Sequence, residues 1–334
     1  MDVPLWVWIA TVAGFAALFI FDFFAHVRKP HEPSFKEASW WTVFYVALAI
    51  IFGGALWAVA GNRYGVEFFA GFITEKSLSV DNLFVFVIIM ARFAVPRIYQ
   101  QKALMIGIIM ALVMRGIFIA VGAAAINQFS WVFYIFGLFL LYTAVKLALE
   151  SFSHKAHHSP QDEYEPNAVV KFAQRHLPVT QEFHEQNLVI RKNGRRVFTP
   201  LFIVVVALGA TDLLFALDSI PAIFGLTQEP YIVFTANAFA LLGLLQLYFL
   251  LGGLLDRLVY LGIGLSLILG FIGVKLVLLA LAENTLPFLN GGEPIAWAPH
   301  IPTWLSLSVI VGILIVTTVA SLMKERKEAQ NSSN

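Results

Sequence analysis

Thr74-Glu75-Lys76-Ser77-Leu78-Ser79-Val80-Asp81-Asn82-Leu83 sets charged groups into an otherwise apolar stretch, and the second half of the chain repeats its pattern as Thr211-Asp212-Leu213-Leu214-Phe215-Ala216-Leu217-Asp218-Ser219-Ile220. Both copies read Thr, an acid, five residues, Asp, a small polar residue, then Leu or Ile. The correspondence continues downstream. Arg115, Phe118 and Gly122 align with Leu245, Tyr248 and Gly252, and Ala144-Val145-Lys146-Leu147 aligns with Gly273-Val274-Lys275-Leu276. The chain therefore carries two copies of a three-segment unit.

The surroundings of the repeat decide the fold class. The chain has 334 residues, 59% hydrophobic and 13% charged, with a mean hydropathy of +0.78. Soluble domains hold about 45–50% apolar and about 25% charged residues. A helix needs about 20 mostly apolar residues to cross a bilayer, and nine stretches qualify: 5–27, 40–60, 67–91, 103–126, 130–149, 199–226, 231–255, 258–282 and 303–323. The expected fold is an all-α polytopic transmembrane bundle of about nine spans. The first stretch does not read as a cleaved signal peptide: it lacks a basic leader, contains Asp22, and ends without a small-residue cleavage site.

Basic residues orient such a chain, because cytoplasmic loops are enriched in Lys and Arg. With the N-terminus outside and the C-terminus cytoplasmic, the cytoplasmic segments hold Arg28, Lys29, Lys36, Arg92, Arg97, Lys102, seven residues between 155 and 196, Arg257, Lys324, Arg326 and Lys327. The outer segments hold Arg63 alone. This bias requires an odd number of spans and places the protein in the cell membrane as a multi-pass chain. The organisation expected is two N-terminal spans (1–66), a first three-helix repeat (67–150), a cytoplasmic linker (151–198), a second repeat (199–282), an outer loop (283–302), and a last span with its tail (303–334). The third span then runs inward and the sixth outward. The repeats are inverted, an arrangement that many secondary transporters share.

Ionisable groups within spans cost about 2.5–3.5 kcal/mol each on insertion scales, so each counts as a functional candidate. At about 100° per residue, Glu75, Ser79 and Asn82 share one face of the third span, and Thr74, Ser77 and Asp81 another. In the second copy Asp212 falls with Ser219, and Thr211 with Asp218. An unbroken helix points its two acids about 120° apart, so each helix either meets polar neighbours on two sides or unwinds at the site. Pro221 favours distortion in the sixth span, because it removes a backbone donor.

Carboxylates with Asn, Ser and Thr nearby form a hard oxygen-donor set suited to Mn2+, Mg2+ or Ca2+. The chain has no cysteine, which excludes thiolate metal sites, disulfides and thiol catalysis. Lys76, Arg115, Lys146 and Lys275 are the supporting charges: they either balance the acids of a binding site or pair with them to hold helices together. The net charge of +1 gives no reason to expect nucleic acid as a partner; the partners expected are a divalent ion and the lipid bilayer. The loops show neither a nucleophile–base constellation nor a phosphate loop, so no enzyme is expected and no resident cofactor. His154, His157 and His158 beside Asp162, Glu163 and Glu165 read as part of a solvated linker, with a metal-sensing patch as the alternative. Glu283, Glu293 and His300 are weaker candidates for an outer vestibule. Asp22 and His26, at i, i+4, read as an interfacial pair, with a metal entry point as the alternative.

Through Glu75-Lys76-Ser77-Leu78-Ser79-Val80-Asp81-Asn82-Leu83-Phe84-Val85-Phe86, the segment from Thr211-Asp212 to Phe224, and Tyr248-Phe249-Leu250-Leu251, the chain resembles the TerC family of integral membrane proteins, over residues 5 to 325. The family is named for tellurium resistance, and its members are associated with manganese export. The resemblance implies efflux of Mn2+ from the cytosol, with Glu75, Asp81, Asn82, Asp212 and Asp218 as ligands and Ser219 beside them. Two positions depart from it: Gly209, where many relatives carry Glu, and Leu245, where relatives carry Arg. The competing readings are a carrier for another cation or small solute, and a membrane stress-response scaffold whose buried charges only organise helices.

Overall fold

The computed structural model describes residues 1, 3–27, 33–129, 131–153, 170–171, 175, 177–180, 182–184, 186–192, 195–251, 260–284, 286, 289–295, 297–299 and 301–331; for some of these, His26, Val80, Asp81 and Phe84 included, it describes the backbone alone. Ten α-helices follow one another among them: α1 (Leu5–Asp22), α2 (Phe35–Ala60), α3 (Asn62–Arg92), α4 (Arg97–Gln128), α5 (Val132–Ser153), α6 (Pro200–Phe224), α7 (Pro230–Leu241), α8 (Leu244–Leu251), α9 (Leu261–Ala282) and α10 (Thr303–Asn331). Local chemistry sets several starts. Ser34 accepts from the Glu37 amide at 3.2 Å at the head of α2, the N-cap contact that satisfies one of the helix's free amides. Pro200 and Pro230 occupy first turns, where their missing N–H costs nothing.

The protein is an all-α polytopic bundle. Among the described residues, eight stretches are long and apolar enough to cross a membrane, against nine expected. The ninth is α3, whose 31 residues span about 46 Å at 1.5 Å per residue. Glu67, Glu75, Lys76 and Asp81 dilute its hydropathy without shortening it.

The helix break falls in the seventh span, not in the sixth. α6 continues through Pro221 to Phe224; the proline sits in the last turn, where one lost donor leaves the earlier ladder intact. α7 instead ends at Leu241, and Gly243 turns the chain with a φ of +75° before α8 begins, a conformation glycine adopts without strain.

Packing reflects the internal repeat. α4 lies on α6 as α3 lies on α7, and α5 packs on α9 and α4 on α7. Exchanging α3, α4 and α5 for α6, α7 and α9 maps this contact pattern onto itself. The α5–α9 crossing is close because small residues face it: a Cβ on Gly137 would lie 3.0 Å from the Gly273 carbonyl oxygen, and one on Gly273 3.0 Å from that of Gly137. Such small-residue contacts are typical of helices packed in membranes. α1 and α2 flank this body and expose Leu5, Trp6, Ile9, Trp40 and Ile51.

In the segment expected as a solvated linker, Val189–Lys192 pairs antiparallel with Arg195–Phe198. This hairpin sits at the entry to α6, where the Thr199 hydroxyl donates to the Asn187 carbonyl at 2.6 Å. Nearby, Gln186 donates to Ile98 O at 3.3 Å, at the start of α4. Other parts of the linker are outside the described residues, among them His154, His157, His158, Asp162, Glu163 and Glu165, as is His300.

Candidate functional site

Arg115, on α4, is fully buried, with no exposed area. Its Nε and Nη2 donate to the two carboxylate oxygens of Asp212, each at 3.0 Å. Its Nη1 donates to Glu75, to Asn237 Oδ1 at 2.9 Å and to Ser219 Oγ at 3.3 Å. The planar guanidinium fork fits a bidentate carboxylate, and its five N–H groups reach α3, α6 and α7. Glu75 Oε1 also accepts from Ser79 at 3.5 Å. Its other oxygen, Oε2, is buried and has no hydrogen-bond partner among the described residues. In this cluster one guanidinium faces two carboxyl groups.

The acids do not all gather in one place. Asp218 lies on another face of α6, where the Thr143 hydroxyl of α5 donates to its Oδ1 at 3.1 Å. It shares a cavity of about 310 Å3 with Asn82, Thr143, Lys146, Phe215 and Ser219. The sixth span thus meets polar neighbours on two sides without unwinding: Asp212 faces α4 and Asp218 faces α5. Ser219 joins the two environments, lining the cavity and accepting from Arg115. The side chain of Asp81 lies outside the described residues. Among the described residues, no group of three or more His, Asp or Glu side chains is placed to hold a metal ion.

Along α3, Glu75 sits between Leu78 of this cavity and Glu67 of a second, larger one. The second measures about 610 Å3 and includes Arg63, Glu67, Thr227, Lys275, Glu283 and Thr303 in its walls, at the end of the bundle where α3 begins and α9 ends. Thr227 donates to Glu67 Oε2 at 2.6 Å and Arg63 to Oε1 at 2.8 Å. Lys275 donates to Ser306 on α10 at 3.0 Å. The lysines matched by the repeat, Lys146 and Lys275, therefore line one cavity each. Lys76 has a different partner: its ammonium donates to the Ala240 and Leu242 carbonyls at 3.0 and 3.4 Å. It caps the broken end of α7, where carbonyls lack intrahelical donors. Asp22 is buried at the end of α1 and accepts from the Tyr45 hydroxyl at 2.8 Å, so α2 supplies it a partner inside the bundle.

Sequence reasoning missed Glu67, Thr143 and Asn237. Glu67 stands at the edge of its expected span and looks like an end-of-helix charge. Asn237 carries a signal in the sequence, an amide in an otherwise apolar segment, and it is buried in the structure. The two departures from the family pattern have simple settings. Leu245 is buried in the core, and at Gly209 a Cβ would fall 1.7 Å from Met110 Cε, so the methionine fills that place.

Residues 60–329 match the family described as Integral membrane protein TerC family. This chain belongs to the TerC family. Among relatives of this TerC protein, an uncharacterized membrane protein of Mycobacterium tuberculosis is 48% identical over 330 residues, covering 98% of this chain and 81% of the relative. An uncharacterized membrane protein of Myxococcus xanthus is 39% identical over 319 residues, 96% of this chain and 92% of its own length. A protein of Escherichia coli named "Putative membrane-bound redox modulator Alx" is 37% identical over 301 residues, 87% of the TerC chain and 86% of its own. No solved structure matches.

Proposed function

We propose that this TerC-family protein exports a divalent cation, Mn2+ by the family resemblance, from the cytosol across the cell membrane. One observation carries the reading: Asn82, from one copy of the repeated motif, and Asp218 and Ser219, from the other, wall a single cavity beside the buried Arg115 cluster. About 310 Å3 holds on the order of ten waters at about 30 Å3 each, room for a partly hydrated ion. The donors are carboxylate, amide and hydroxyl oxygens, the set a hard divalent cation prefers.

By the placement of Lys and Arg, the N-terminus faces outward and the C-terminus the cytosol. That orientation puts the smaller cavity in the cytoplasmic half and the larger, with Glu67 and Glu283, in the outer half. The cation enters beside Asn82 and Asp218, exchanges water for the acids of the repeats, and leaves past Glu67. Proton exchange on the same carboxylates is the coupling that fits a chain without a phosphate-binding loop. The protein is a carrier and not an enzyme, and manganese is its cargo.

A second reading draws on Arg115 itself: its pairing with Glu75 and Asp212 would serve equally to hold helices together in a stress-response scaffold. The redox role in the E. coli relative's name has no thiol route here, since this chain has no cysteine. One experiment separates the readings. In cells lacking their own manganese exporter, expression of this chain should lower cellular Mn2+, and Asp218→Asn or Asp81→Asn should abolish the difference at equal protein level. Unchanged manganese with verified wild-type expression sinks export. Mutants that vanish from the membrane favour the scaffold.

A further inference from the structure

The geometry points to Arg115 as a tethered competitor of the transported cation: it occupies the Glu75 and Asp212 carboxylates, yields them only to an ion of higher charge, and so selects divalent over monovalent cations. The inference rests on the export reading and deepens it.

Three observations support it. First, Arg115 contacts the leading acid of each copy of the repeated motif, Glu75 on α3 and Asp212 on α6. Its side chain lies where a cation shared by those acids would lie. Second, it leaves them incompletely compensated. One guanidinium faces two carboxylates, and Glu75 Oε2 is buried without a partner among the described residues. A buried anionic oxygen in that state carries a desolvation cost that an added positive charge relieves. Third, the guanidinium has neutral acceptors to fall back on. Asn237 Oδ1 at 2.9 Å and Ser219 Oγ at 3.3 Å stay available when the carboxylates turn to another cation.

Charge then decides which ions can compete. A monovalent ion brings the same charge as Arg115 but none of its directed N–H donors, so it gains nothing by the exchange. A divalent ion brings twice the charge and matches the two carboxylates. Ser219 gives such an ion a path, since it lines the cavity shared with Asp218 and also touches Arg115. Because Arg115 is on α4 of the first repeat and bonds α6 and α7 of the second, its release also loosens a tie between the repeats.

Purified wild type, Arg115→Gln and Arg115→Lys provide the test, with Mn2+ binding followed by electron paramagnetic resonance, Na+ competition, and Mn2+ uptake into everted vesicles. Removing the competitor should tighten Mn2+ binding at least tenfold in Arg115→Gln, let Na+ compete, and slow transport. Arg115→Lys keeps the charge but loses the fork; it should fold like wild type and shift affinity the same way to a smaller extent. Unchanged or weaker Mn2+ affinity in both folded variants, with wild type still transporting, overturns the role of Arg115 and leaves export standing. Wild type that neither binds nor moves Mn2+ brings both down.

Discussion

At the scale of single residues, the charge balance around Arg115 governs stability as well as binding. Arg115→Gln leaves Glu75 and Asp212 buried without their cation, and breaking a buried ion pair in this way costs about 3–5 kcal/mol. Asp212→Asn removes one charge but leaves Arg115 balanced by Glu75; the loss is then nearer the about 1.5–3 kcal/mol of a charged hydrogen bond. Thermal unfolding in detergent should therefore rank Arg115→Gln well below Asp212→Asn. Mn2+ at ten times its dissociation constant should restore about 1.4 kcal/mol to Arg115→Gln by mass action, whereas an equal loss in the two variants would contradict this balance. The acids themselves were legible in the sequence, because charged groups in apolar spans stand out and appear twice. Their partners were not. That Glu75 and Asp212 share one arginine while Asp218 turns to Thr143 depends on which neighbour each face of α3 and α6 meets.

At the scale of elements, the broken seventh span has a physical cause split between the backbone and a distant side chain. Gly243 holds a φ of +75°, and a Cβ there would stand 2.9 Å from Tyr45 Cδ2. Lys76, from α3, donates to the two carbonyls released at the break. Gly243→Ala combines left-handed strain of about 1–2 kcal/mol with that contact, and a melting temperature lowered by several degrees is the outcome to look for. An unchanged melting temperature would mean the turn is not under this constraint. The sequence pointed to Pro221 in the sixth span because proline is the strongest local breaker. Its position in the last turn made it harmless, and the actual break rests on a glycine whose conformation no apolar window reveals. The long helix α3 shows the opposite: its charged residues lower its hydropathy, yet 67–91 stands among the nine expected spans, and the structure extends it to 31 residues.

At the scale of the whole molecule, two cavities lie in opposite halves of the bundle, each holding one of the repeat-matched lysines. A chain without cysteine allows their sidedness to be read directly. Leu147→Cys should react with an impermeant thiol reagent from the cytoplasmic side and Thr303→Cys from the outside, and saturating Mn2+ should shift the two rates in opposite directions. Labelling of both from the same side would overturn the proposed topology. The sequence by itself determined that the chain is a membrane bundle, that its middle holds two copies of one unit, and that each copy carries a pair of acids within its apolar spans. Those conclusions follow from hydropathy and repetition, which are properties of segments. Only the tertiary structure decided that the copies interdigitate, with α4 against α6 and α3 against α7, so that Arg115 of one repeat is held by Asp212 of the other. The physical reason is that pairing of helix faces depends on where glycines let backbones approach and where buried charges find partners, and both are set by neighbours distant in the chain.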